Sequence, residues 1–259
     1  MKRTASRVLL PVLTACALTA AASDLERERR LGEEMSANLF DGDVVEISVG
    51  ERNFLAAYIA RESPKGAVVL LHGRGFHPDW PDVAGPLRVA LAEAGWSTLS
   101  LQMPVLGRDA TYYDYLPTFD AAGQRIDAGI RFVRERIDGP VVLLAHSCGA
   151  HMAMHWIGRH GDAAIDAFIG AGMGATDYGQ DLVEPFPLER IGVPLLDVLG
   201  SNEYERVLAL AEQRAKFLEH HGHRDSRQVF VNGADHYFKG RNAELADAVI
   251  DWLETFVTR

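Results

Sequence analysis

The chain has 259 residues, 47% of them hydrophobic and 24% charged, and a formal net charge of −10. That length supports one sizeable core and leaves too little for two ordinary domains with linkers, so one compact domain is expected. The acidic balance, with no Lys/Arg cluster beyond the first residues, excludes a nucleic-acid binder that works by neutralising phosphates.

In chain order, Lys2, Arg3 and Arg7 precede the apolar stretch VLLPVLTACALTA, which ends in Ala20-Ala21-Ala22-Ser23. This is the layout of a secretory signal with small residues at its cleavage site, so residues 1–23 are read as a signal peptide and the protein as exported, to the bacterial periplasm. Leu13-Thr14-Ala15-Cys16 offers an alternative, a lipoprotein box with a lipid anchor at Cys16. A membrane span is not expected: Pro11 and threonines interrupt the stretch, and no later segment reaches the roughly 18 consecutive apolar residues a span needs. Cys16 and Cys148 are the two cysteines, so without the leader no internal disulfide can form.

Residues 24–42 are charged and helix-compatible, a loosely attached lead-in to a domain expected over 43–259. VVEISVG (44–50) and FLAAYIA (54–60) alternate around Gly50-Glu51-Arg52-Asn53 and predict an antiparallel hairpin. The pattern then changes. Strands are expected at 67–73, 96–102, 141–146, 166–172, 193–200 and 227–233, and helices at 82–94, 121–137, 148–160, 204–220 and 242–257. Strands alternating with helices of this length imply crossover connections, hence an α/β fold with a mainly parallel sheet and helices on both faces. In such a sheet, reactive groups collect outside the carboxyl ends of the strands.

Three strand-end loops carry chemistry. Ala145-His146-Ser147-Cys148-Gly149, between an apolar run and a helix pattern, matches the nucleophile elbow G-x-S-x-G with Ala145 in the first glycine position. The elbow needs small residues because its sharp turn brings strand and helix together, and it raises the serine to the positive end of a helix. A plain helix-capping serine is the alternative reading of Ser147. His236, one of ten histidines, follows the last predicted strand in Gly233-Ala234-Asp235-His236 and is a candidate general base. Its orienting carboxylate should lie between the two in chain order: Glu203, three residues past Gly200, is the candidate, with Asp177 as rival, while Asp197 lies inside a strand and is expected to face a neighbour there. For an oxyanion, Cys148 N–H and Arg74 N–H are the expected donors, the latter in the Gly-rich loop His72-Gly73-Arg74-Gly75-Phe76. Cys148 itself reads as a small buried apolar residue.

The loop at 72–76, the serine elbow, Glu203 and Gly233-Ala234-Asp235-His236 together resemble the α/β-hydrolases, with dienelactone-hydrolase-like and carboxylesterase members closest in pattern. The stretch HGRGFHPDWPDVAGPLRVALAEAGWSTLSLQMP resembles a bacterial α/β-hydrolase group of unknown function. The resemblance covers about residues 43–257 and implies an eight-stranded sheet with an antiparallel N-terminal edge, and Ser147, Glu203 and His236 as a triad. The sequence departs from the pattern in Ala145 for Gly and in Glu203 for the commoner Asp. Dienelactone hydrolases proper carry Cys at the elbow, where this chain has Ser147.

These residues predict a serine hydrolase that cleaves an ester-like bond of a small or accessible acyl substrate through an acyl-enzyme, with neither metal nor organic cofactor. His151 and His155 stand four apart but lack the Glu of H-E-x-x-H. The stretch between 172 and 193 is too short for a long covering lid, so the lid should be minimal. Gly75, Phe76, Tyr112 and Tyr113 are candidates to line the pocket, with Tyr115 and Phe119 beside them. A non-catalytic binding protein of the same fold and a peptidase or amidase with the same triad are the competing readings. Oligomeric state is not written in these patterns.

Overall fold

Five strands in the middle of the sheet are buried at every position, which is what a strand covered by helices on both faces requires. The computed structural model describes residues 23–257; residues 1–22 of the expected signal peptide, with the Cys16 anchor, lie outside the described residues. Eight strands, β1 (Asp43–Val49), β2 (Arg52–Ile59), β3 (Ala67–Leu71), β4 (Ser97–Leu101), β5 (Val141–His146), β6 (Ala167–Ala171), β7 (Leu195–Gly200) and β8 (Arg227–Val231), form one sheet in the order β1-β2-β4-β3-β5-β6-β7-β8. β1 and β2 pair antiparallel, as do β2 and β4, and every other pair is parallel. The expected fold class and its antiparallel N-terminal edge are therefore present.

Among the described residues seven α-helices accompany the sheet: α1 (Leu25–Asn38), α2 (Ala84–Glu93), α3 (Tyr112–Tyr115), α4 (Phe119–Arg134), α5 (Cys148–His160), α6 (Glu205–His221) and α7 (Asn242–Val257). Because successive strand residues face opposite ways, the sheet divides its apolar side chains between two cores. Val69, Leu71 and Leu143 pack with Ile126 and Ile130 of α4 and Trp156 of α5. Val68, Leu70 and Leu144 pack with Leu87 and Leu91 of α2 and Val249 and Trp252 of α7.

Two expectations change. The lead-in is not loosely attached. Asp24 caps α1 by accepting the Arg27 N–H at 3.0 Å, Met35 is fully buried, and Arg125 pairs with Glu28 at 3.0 Å. Gly32 lies so close to the hairpin that a Cβ there would sit 2.7 Å from Leu55 Cδ1. The helix expected over 121–137 starts at Phe119, where a 3-10 turn over Leu116–Thr118 joins α3 directly to it, and stops at Arg134. Among the described residues no helix is long and apolar enough to cross a membrane.

Candidate active site

Ser147 occupies the turn between β5 and α5 with φ 53° and ψ −118°. A non-glycine residue in that region costs about 1–3 kcal/mol, so the surroundings must impose it. They do so through backbone bonds on both sides: Ser147 N–H donates to Ala171 O at 3.0 Å, and Ser147 O accepts from Ala150 N–H at 2.9 Å. Gly149 is required by contact, since a Cβ there would lie 2.7 Å from His72 O and 2.8 Å from Leu71 O, both backbone atoms. Ala145 fits where a glycine was expected: it is fully buried and sits in register between Leu71 and Gly170.

The Ser147 hydroxyl meets His236 Nε2 at 2.8 Å. On the other side of the ring, His236 Nδ1 lies 2.6 Å from Glu203 Oε1 and 2.9 Å from Oε2. Both partners of this hydrogen bond are buried. With the Nδ1 proton donated to the carboxylate, Nε2 is left to accept from the hydroxyl. The two loops that bring these side chains in are tied together: Asn202 N–H donates to Ala234 O at 2.9 Å and Gly233 N–H to Ser201 Oγ at 2.8 Å. His146 Nε2 donates to the His236 carbonyl at 2.9 Å, and burial pushes its pKa down to about 3, which keeps it neutral in that role. Gly172, at φ 58°, leaves room for the pair; a Cβ there would stand 2.9 Å from Glu203 Oε1.

The loop after β3 approaches the same serine. His72 is buried, donates from Nδ1 to Gly73 O at 2.7 Å and accepts the Met103 N–H at Nε2 at 3.0 Å. Burial pushes its pKa down to about 3, so it shapes the loop as a neutral ring. Beyond it, among the described residues, neither Arg74 N–H nor Cys148 N–H donates to a backbone carbonyl, and both residues border the cleft that holds Ser147. Asp177, the rival acid, does not reach the imidazole ring. Its carboxylate accepts from Arg74 Nη1 at 2.5 Å, Arg74 Nη2 at 2.9 Å and Tyr112 N–H at 2.6 Å, and the Arg74 guanidinium holds its pKa below the usual carboxylate range.

The cleft measures about 420 Å³. Of the four pocket candidates, Phe76 and Tyr112 border this cleft, and Gly75 and Tyr113 are not among its lining residues. Gly75 turns its carbonyl to α1, where Arg27 Nη2 donates to it at 3.2 Å. The Tyr113 hydroxyl accepts the Asp181 N–H at 2.9 Å on the outer side of the 172–193 segment. Tyr115 and Phe119 enter the core instead, being 0% and 1% exposed. Tyr204, Tyr237 and His151 also line the cleft, and no motif pointed to them. Adjacency was the available signal, since the first two follow Glu203 and His236 directly and His151 lies one helical turn after Ser147. His151 donates to Ala175 O at 2.9 Å and His155 bonds Glu184 and Asp120, so the two helical histidines share no partner. A second cavity of about 700 Å³, bordered by Glu34, His77, Arg88 and Asn242, is not lined by Ser147, His236 or Glu203.

Residues 14–122 match the model of a family described as "Protein of unknown function (DUF3530)". No curated protein matches the sequence. Among solved structures, TT1662 from Thermus thermophilus is similar with a TM-score of 0.65 and 19% identity, over 84% of this chain and 98% of its own. Dienelactone hydrolase from Anabaena variabilis is similar with a TM-score of 0.63 and 19% identity, over 82% of this chain and 96% of its own. XC6422 from Xanthomonas campestris, described as a serine hydrolase without lid, is similar with a TM-score of 0.61 and 15% identity, over 84% of this chain and 95% of its own.

Proposed function

We propose that this chain, which has the α/β-hydrolase fold, is a serine hydrolase that cleaves an ester-like bond of a small acyl substrate. The observation that carries the reading is the unbroken run of hydrogen bonds from the Ser147 hydroxyl at 2.8 Å through His236 to Glu203 at 2.6 Å. As Ser147 Oγ forms its bond to the acyl carbon, the hydroxyl proton passes to His236 Nε2 and the carbonyl oxygen becomes an oxyanion. Glu203 faces the imidazolium that results and fixes its ring. Arg74 N–H and Cys148 N–H, the second at the first position of α5, are the donors for the oxyanion. The leaving oxygen takes the proton from Nε2 as its bond to carbon breaks, and a water repeats the sequence to release the acid and restore Ser147. None of these steps calls on a metal or an organic cofactor. A cleft of about 420 Å³ favours a short acyl group. The basic and apolar leader supports export.

The test is a fluorophosphonate probe on the folded protein. Labelling of wild type and its loss in Ser147→Ala are expected, together with turnover of short p-nitrophenyl esters. Folded wild type that takes up no probe and turns over no ester would remove the reading.

A further inference from the structure

Asp177 joins three strand-end loops around the cleft. Its carboxylate receives Arg74 from the loop after β3 and the Tyr112 N–H from the start of α3, while Asp177 itself belongs to the segment after β6. That segment is fastened to α3 independently: Tyr112 OH accepts the Val183 N–H at 3.2 Å, Tyr113 OH the Asp181 N–H at 2.9 Å, and Gln180 Oε1 the Tyr113 N–H at 3.2 Å. The loop after β3 has less to hold it. Arg74 and Gly75 are the central residues of a turn whose closing bond, Phe76 N–H to Gly73 O, is long at 3.4 Å, and Gly75 has φ 75°. The Arg74 N–H shares a peptide plane with Gly73 O, which His72 holds at 2.7 Å; glycine on each side of Arg74 leaves the position of the Arg74 Cα the freer part of the turn. Upstream the loop is held by His72 at Gly73 O, and downstream by Arg27 on Gly75 O and by Phe76 stacked on Trp80 at 4.3 Å. Between these anchors, among the described residues, Asp177 is the only hydrogen-bond partner of the Arg74 side chain. A forked guanidinium–carboxylate contact fixes direction as well as distance.

We propose that Asp177 is a positioning residue which, by clasping the Arg74 side chain, orients the Arg74 N–H towards the oxyanion. The assignment rests on the hydrolase reading above, in which that N–H is a donor. The carboxylate that rivals Glu203 for the place of triad acid thus has a different role, acting on the transition state through the backbone of its partner.

The test uses Asp177→Asn, which still accepts from the Tyr112 N–H but presents an amide to Arg74, and Arg74→Ala, which keeps the backbone N–H and removes the clasp. Active sites are titrated with a fluorophosphonate so that rates are per competent Ser147. In each variant kcat is expected to fall about tenfold with KM within about twofold, a fraction of the loss when an oxyanion donor is deleted outright. A trifluoromethyl ketone forms a bond from Ser147 Oγ to its carbonyl carbon, sends the proton to His236 and leaves an oxyanion, so its affinity should fall by the same factor as kcat. The double variant should lose no more than Arg74→Ala alone, because without the guanidinium there is no clasp left for Asp177→Asn to weaken. Unchanged kcat per site, a loss confined to KM, or losses that multiply in the double variant would overturn the role of Asp177 while wild-type turnover left the hydrolase intact. Wild type without turnover or labelling would overturn both. If Asp177→Asn fails to fold, Arg74→Ala decides alone.

Discussion

Two buried carboxylates six residues apart, Asp197 and Glu203, each meet a nitrogen base, and only the Glu203 pair is proposed to do chemistry. Asp197, inside β7, takes Arg214 Nε at 2.8 Å and Nη2 at 3.2 Å, and Gln228 Nε2 at 2.7 Å. Gln228 stands in register beside it on β8. Its donors come from Arg214 and Gln228, and guanidinium keeps its proton at any working pH. Glu203 meets an imidazole, which can gain and lose a proton, and whose far nitrogen leads out to a hydroxyl at the wall of a cleft. Burial and pairing are alike in the two; what differs is whether the base is titratable and whether its other end is open.

The largest effect should come from the open end. Ser147→Ala is expected to reduce ester turnover by at least about 10⁴-fold with little change in melting temperature, read by p-nitrophenyl ester assays and calorimetry. Glu203→Gln should reduce kcat by about 10³-fold while the protein stays folded, because the amide still fills the site but no longer stabilises the imidazolium. Asp197→Asn should do the reverse. It leaves a buried guanidinium without its counter-charge, at a cost of about 3 kcal/mol or roughly 10 °C in melting temperature, with kcat per folded molecule unchanged. Were Asp197→Asn to abolish turnover at full stability, the distinction between the two pairs would collapse.

The same contrast explains how much could be read from sequence. Ser147, His236 and Glu203 were legible because each follows a strand whose apolar run marks its end, and strand ends of a parallel sheet share one rim. The wide apolar runs of β3, β5 and β7 also made the fold legible. Asp177 was ambiguous because it too follows a strand end. Its partner, Arg74, is 103 residues away, and no local pattern records which of two loops an acid will face. That Tyr113 and Gly75 do not border the cleft was not legible, for a related reason: spacing brings a residue to the rim but leaves open which way it faces. Arg214 is buried on α6, and its pairing with Asp197 shows why a guanidinium is tolerated there.

Histidines sharpen the comparison through pH. His72 and His146 are buried with pKa values pushed to about 3, and His151 to about 4, by burial first of all. Each has its native pKa below that of the unfolded chain, near 6.5, so below that pH the unfolded chain binds protons that the native state refuses. Their contribution is therefore fully present above about pH 6.5, shrinks as pH falls, and levels off below about 3 for His72 and His146. Each should cost about 1.4 kcal/mol per pH unit within that window, or about 2 kcal/mol between about pH 6.5 and 5. Denaturant melts at pH 7, 6 and 5 measure the slope. His146→Gln, whose amide can still donate to the His236 carbonyl, should flatten it; an unaltered slope would show that His146 is not held neutral by the fold.

The smallest effect is expected at Cys148, one residue from the proposed nucleophile. Its thiol is pushed up to about 12 by burial, so at pH 8 only about one molecule in 10⁴ carries the thiolate that attacks electrophiles. The part assigned to Cys148 is its backbone N–H at the start of α5, which another small residue supplies equally. Iodoacetamide at pH 8 should therefore leave both the thiol and ester turnover intact, and Cys148→Ala should keep kcat within about twofold, since oxyanion stabilisation resides in the backbone. Rapid inactivation by iodoacetamide in wild type, with protection in Cys148→Ala, would mean that the thiol is open to electrophiles and is not held protonated by burial.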